Sequence, residues 1–238
     1  MKKLLLPALL LCAVAAQAAK PIAPAEDASQ GTTATELAAL KARPLPAPNT
    51  VKVAILPFWD GTGKADRQRT AAAAIALMFQ REGFQVLPVT ESFKAVEADK
   101  QIEPGQPLRK EDAIRIAATQ GADWVVYGEL KELVAYKKQS FFKASKNVRA
   151  GARYAVADVA SKELLYWKND QVKAGGTGWG AGSHSSGAKL ERSGLAALSI
   201  VILQPFFEAL PPHTTTGKTP DSGDIAAFIG KTWPAAAK

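Results

Sequence analysis

The sequence predicts one α/β domain, three-layer-like around a mixed β-sheet, in the element order β-α-β-α-α-β-β-β-α. Three observations predict it. Apolar runs of strand length alternate with helical patterns over residues 51–121, which is how parallel strands with crossover helices are written. Three strand patterns then follow in a row over residues 124–172, and short turns between consecutive strands require antiparallel pairing. A long apolar helix follows over 191–210. The span 51–210, about 160 residues, can bury an ordinary core.

The first strand is Val51, Lys52, Val53, Ala54, Ile55, Leu56, Pro57 and Phe58, bounded by Asp60-Gly61; a β-rich apolar run of this length reads as buried. Residues 66–82 follow as a helix with Ile75, Met78 and Phe79 on one face and Gly83 as its stop. A second strand covers 84–89, a short helix 90–98, and a Pro/Gly loop 99–109. The helix 110–120 turns Ile114, Ala117 and Ala118 inward and closes at Gly121. Strands are then predicted over 124–136, 147–159 and 163–172. In the second of these Val148, Ala150, Ala152, Tyr154 and Val156 alternate with Arg149, Gly151 and Arg153, a half-exposed antiparallel pattern. A glycine-rich loop is expected over 175–187, and Pro205 interrupts the long helix after it.

The ends read differently. Lys2 and Lys3, a short apolar run over 4–14 and Ala16-Gln17-Ala18 form the three parts of a secretory signal. The run is shorter than the ~20 residues of a membrane span. Cleavage is expected between Ala18 and Ala19, which makes 1–18 a signal peptide and the protein periplasmic. Cys12, the single cysteine, follows Leu11, where a lipoprotein signal would place a small residue; an outer-membrane lipoprotein anchored through Cys12 is the alternative. If Cys12 leaves with the signal, no thiol remains for a disulfide, a nucleophile or a zinc-thiolate site. Residues 19–50 are rich in Ala, Pro and Thr and are expected to be a disordered tether, with a brief helical turn over residues 35–43. Residues 211–238 are expected to be a tail with one short helix near 225–229. The formal charge is +8, and Lys2 and Lys3 are the only charges in 1–18, so +6 remains past the cleavage point. Export argues against nucleic acid and favours anionic lipid or peptidoglycan as a counterpart to this charge.

Three stretches carry a resemblance. Val53, Ala54, Ile55, Leu56, Pro57 and Phe58 followed by Asp60-Gly61-Thr62-Gly63 resemble the opening strand of the TolB amino-terminal domain and its relatives. These include the curli-secretion lipoprotein CsgG and the activator lipoproteins of peptidoglycan synthases. Gly121, Ala122, Asp123, Trp124, Val125, Val126, Tyr127 and Gly128 are similar to their second landmark, a helix end running into a strand. Tyr154, Ala155, Val156, Ala157, Asp158 and Val159 with Glu163, Leu164 and Leu165 are similar to the third, a strand, turn and strand. The family's turn carries Gly where Lys162 stands. The segment 136–147 is short, basic and aromatic, with no room for transmembrane hairpins, so a secretion pore is not expected. The resemblance implies an envelope binding or assembly protein without chemistry.

The residues themselves offer little to a catalyst. Asp60-Gly61-Thr62-Gly63-Lys64 sits where a phosphate loop would lie, but Phe58 and Ala65 replace its first Gly and its Ser/Thr. Lys64 at a helix start can still attract an anion. The run 175–182 does not hold dinucleotide spacing, and no cofactor is expected. Ser183, His184, Ser185 and Ser186 place hydroxyls beside a histidine without a nucleophile elbow; a periplasmic hydrolase using this loop is the alternative function. His184 and His213 are the only histidines, and no metal site is expected.

A partner surface is the favoured reading. Tyr136, Lys138, Phe141, Phe142 and Lys143 mix rings with cations at a hairpin end, and Trp179 stands between glycines. Such anchors suit an envelope protein, peptidoglycan or an anionic membrane surface. An ordinary hairpin end with Phe141 and Phe142 tucked in is the competing reading. The helix 191–210, apolar on all sides, covers the sheet or serves a homo-oligomer; a subunit of an envelope secretion or lipoprotein complex is a third role.

Overall fold

The computed structural model describes residues 31–61, 64–103, 105–140, 143–177 and 187–234, without the side chains of 137–140, 143–146 and 174–177. Its helices are α1 (Ala34–Lys41), α2 (Ala65–Arg81), α3 (Val89–Ala98), α4 (Lys110–Thr119), α5 (Gly187–Glu208) and α6 (Ser222–Thr232). Its strands are β1 (Lys52–Ile55), β2 (Trp59–Asp60), β3 (Gln85–Val86), β4 (Trp124–Ser140), β5 (Lys143–Asp158) and β6 (Leu164–Thr177).

The strands form one mixed sheet in the order β3-β1-β4-β5-β6, with β2 also on β4. β1 runs parallel to β3 and β4, whereas β4, β5 and β6 pair antiparallel. The change of pairing follows the sequence: helices separate the first strands, and turns separate the last. β1 is buried on both faces, with Val53 and Ile55 toward α2 and α5, and Ala54 and Leu56 toward α4. Gly83 and Gly121 adopt φ of 86° and 68°, the left-handed stops that end α2 and α4. The turn between β5 and β6 places Lys162 at φ 60°, a conformation normally left to glycine.

The strands reach further than the sequence pattern indicates. β4 and β5 pair out to Ser140 and Lys143, and β6 pairs with β5 as far as Thr177. Gly175 and Gly176, expected in a loop, lie opposite Asn147 and Lys146, because ladder hydrogen bonds need no side chain. β2 was not anticipated from the sequence; two residues are too few to show a period.

The expected disordered tether over 19–50 requires correction for the described part, 31–50. Thr33 and Glu36 form a reciprocal capping box at the start of α1. Leu40 is 3% exposed within the main core, with Leu37 and Leu45 packed alongside. The amide of Thr32 donates to the Trp167 carbonyl at 2.7 Å, and Arg43 pairs with Glu163 at 2.7 Å. These few leucines cannot make a core of their own, but they can extend one that already exists. At the other end α6 buries Ile225 against Ala73, Ala74 and Ala196.

α5 is long and apolar enough to cross a membrane by length and composition. Here it lies on β5 and β6 and buries Leu195, Leu198, Ile202, Leu203, Phe206 and Phe207. Pro205 lies within it and lacks the N–H that would reach the Val201 carbonyl. β6 supplies donors at this point: Lys168 Nζ lies 3.4 Å from the Val201 oxygen, and the Tyr166 hydroxyl donates to Ile202.

Candidate partner-binding face

The sheet's two faces are not equally covered. α2 and α5 lie over one face, the side of Val148, Ala150, Ala152 and Tyr154. α3 and α4 lie over the other, but only beside β1 and the start of β4, where Ala54, Val125, Ala155 and Ala157 are buried. Past that cover, alternate residues of β4, β5 and β6 project from the second face: Glu132, Val134 and Tyr136 from β4, Arg149 and Arg153 from β5, and Trp167 from β6.

On this face cations are laid on rings. The Arg149 guanidinium lies 6.0 Å from the Tyr136 ring centroid and 3.2 Å from a Glu132 carboxylate oxygen. Arg153 lies 5.0 Å from the Trp167 ring. Stacking of this kind holds an arginine side chain extended across the ring. Val134, between Glu132 and Tyr136, is 49% exposed, and Leu164 is also exposed.

A cleft of about 280 Å³ opens where the face meets α4, lined by Leu108, Arg109, Lys110, Tyr127, Arg153 and Trp167 among others. Burial pushes the Tyr127 phenol up to about 12; Glu111 adds to this and Arg153 opposes it. Tyr127 is therefore neutral at physiological pH and serves as a hydrogen-bonding wall. Glu129 is the cleft's one carboxylate, beside Arg109, Lys110 and Arg153. The lining of the cleft is thus basic and aromatic. Among the described residues no group of three or more His, Cys, Asp or Glu is placed to hold a metal ion.

The residues singled out from sequence are distributed as follows. Tyr136 is on this face, half-buried under Arg149. Lys138 lies in β4 opposite Ser145, and Lys143 opens β5 opposite Ser140. Phe141, Phe142 and Trp179 lie outside the described residues, as do Cys12, Ala18, Ala19 and the Ser183–His184–Ser186 loop. His213 is far from that chemistry in role: its Nε2 is 2.9 Å from Glu82 at the end of α2, and its Nδ1 is 2.8 Å from the Pro211 carbonyl oxygen. Arg149, Arg153 and Trp167 were missed as site residues. Their signal was present in the period-two alternation, which marked the exposed arginines but not the rings across the strands.

No family model matches the chain, and no curated protein matches it. Among solved structures it is similar to the PelC dodecamer from Paraburkholderia phytofirmans, at 20% identity over 68% of this chain and 89% of that one, with a TM-score of 0.37. It is also similar to lipoprotein GNA1162 from Neisseria meningitidis, at 16% identity over 63% of this chain and 95% of that one, TM-score 0.39. TolB from Acinetobacter baumannii is a further similar structure, at 17% identity over 70% of this chain but 29% of that one, TM-score 0.28. The resemblance to TolB-like domains and envelope lipoproteins read from residues 51–172 recurs among these structures as a likeness.

Proposed function

We propose that this is an exported, non-catalytic protein of the cell envelope that binds or assembles an acidic partner on the uncovered face of β4, β5 and β6. The observation that carries the reading is the pair of ring-stacked arginines, Arg149 on Tyr136 and Arg153 on Trp167, beside exposed Val134. Aromatic anchors with arginines and an exposed aliphatic residue are the composition of an interface core. Lys138 and Lys143 lie further along the same ribbon, and the proposal retains Phe141, Phe142 and Trp179, outside the described residues, as partner-binding residues on their sequence alone. Export rests on the signal pattern ending at Ala18, with the periplasm as destination.

The test is capture of partners from envelope extract by the wild-type protein and by Arg153→Glu and Tyr136→Ala. Both changes should weaken capture about ten-fold or more, and the arginine effect should shrink at high salt. Capture that ignores both changes would move the interface off this face. Intact-mass measurement of protein recovered from cells tests the export arm: a chain beginning at Ala19 is expected, and a lipid mass on Cys12 would replace the soluble form with an anchored one.

A further inference from the structure

On the opposite side of the sheet, α2 and α5 begin beside one another around a cavity of about 600 Å³. Lys64, Arg67, Arg69 and Arg192 line it, with Asp66, Glu191, Thr70 and Ile229. Four cations against two carboxylates leave two positive charges in excess.

The carboxylates do not quench the cations evenly. Glu191 pairs with Arg67 at 3.0 Å, and both side chains are largely buried. Asp66 is 97% exposed and stands 3.7 Å from Arg69, whose guanidinium also lies 5.8 Å from the Trp233 ring. Among the described residues Lys64 and Arg192 enter no ion pair, and the Nε of Arg192 is buried without a hydrogen-bond partner. A buried donor of this kind costs free energy unless something accepts from it. Lys64, at the N-cap of α2, makes no side-chain cap, and the positive end of the helix adds to the field.

We infer that this cavity is a binding site for a phosphate group, held by Arg192 and Lys64 with Arg67 behind them. A phosphate monoester carries close to the two negative charges in excess here, offers several acceptors to guanidinium forks, and leaves room for a sugar- or glycerol-sized substituent in a cavity of this volume. The Arg67–Glu191 pair ties α2 to α5 and fixes the spacing of the site. This site is separate from the ribbon face and does not depend on that reading.

The phosphate could be free or part of a lipid headgroup, and the test separates the two. Calorimetric titration of the full chain with glycerol 3-phosphate and with inorganic phosphate probes the free form. Co-sedimentation with vesicles containing phosphatidic acid, whose headgroup is a phosphate monoester, against phosphatidylcholine vesicles, probes the lipid. Saturable binding in either arm is expected. Arg192→Gln and Lys64→Gln should each weaken it about ten-fold or more, with unchanged melting temperature, while Lys94→Gln on α3 should leave it unchanged. The inference is overturned by absence of saturable binding in both arms. It is overturned equally by binding that changes less than two-fold in Arg192→Gln and Lys64→Gln, or that falls as far in Lys94→Gln.

Discussion

The phenol of Tyr166 donates a hydrogen bond to the carbonyl of Ile202, one turn before Pro205 is passed in α5. The strand thereby anchors the helix beside the point where proline leaves the Val201 carbonyl without its backbone donor. Tyr166→Phe keeps the ring and its packing but deletes the donor. It should lower stability by about 1 kcal/mol, the net contribution of one buried hydrogen bond, since helix geometry still offers that carbonyl the N–H of Phe206. Urea unfolding should show a lower midpoint with an unchanged slope.

Alkaline pH should unfold the protein earlier than its charge alone would suggest. Burial pushes the Tyr154 phenol up to about 12, against a partial opposing effect of its hydrogen bond with Ser199, and Tyr127 also rises to about 12. A raised folded pKa means the folded state keeps a proton that the unfolded state has released. This stabilisation is complete below the ordinary tyrosine value near 10 and is lost as pH rises from there toward 12. Unfolding midpoints measured across about pH 9 to 11.5 should fall with pH, and Tyr154→Phe should flatten that fall.

Gly128 should tolerate no side chain. A Cβ there would stand 2.0 Å from the Arg153 carbonyl oxygen and 2.6 Å from Phe58. Gly128→Ala must therefore push β4 away from β5 at the centre of the sheet, at a cost of about 3 kcal/mol. Gly151, on the same pair of strands, has its nearest neighbour at 3.5 Å, so Gly151→Ala should fold nearly as well as wild type. Equal thermal stability of the two variants would refute the close approach.

Lys162→Gly should stabilise the protein. Lys162 holds φ 60° in the turn between β5 and β6, where a Cβ costs about 1–2 kcal/mol. Glycine removes that strain and gives back part of it through a more flexible unfolded chain. A gain of about 0.5–1 kcal/mol, read as a higher melting temperature, is expected.

The amino-terminal helix should contribute measurably to folding. Leu40 is buried in the main core, so Leu40→Ala should cost about 2 kcal/mol or more. A variant indistinguishable from wild type in thermal unfolding would return α1 to the status of a tether.

Where residues were buried by their own pattern, the fold was legible. The run from Val53 to Leu56 alternates across a sheet buried on both sides, and Gly83 and Gly121 stop their helices as their chemistry dictates. The helical turn of α1 was legible but its docking was hidden, because its anchors are long-range: Thr32 and Arg43 meet residues more than a hundred positions away, and Leu40 enters the main core. The stacked arginines were hidden for a related reason. Arg149 and Tyr136 come from different strands, and only the β4–β5 register brings the two together. Tyr136 was legible from its basic neighbours alone, whereas Trp167 looked like one more strand residue.

The ladder between β4 and β5 shifts register between Leu130 and Glu132, leaving Lys131 as the additional residue. Such a bulge sharpens the local twist, and it sets the direction in which the ribbon beyond it points, like a boom from a joint. From the bulge to Ser140 the boom is roughly 30 Å long at the usual rise per residue. A ten-degree change of angle at the bulge would therefore carry the tip through about 5 Å, more than the width of a side chain. Removing Lys131 would keep Leu133 and Val134 on their present faces while straightening the joint. The aim of the boom and the chemistry it carries can thus be altered independently, one by a single deletion at its root and the other by substitutions along its length.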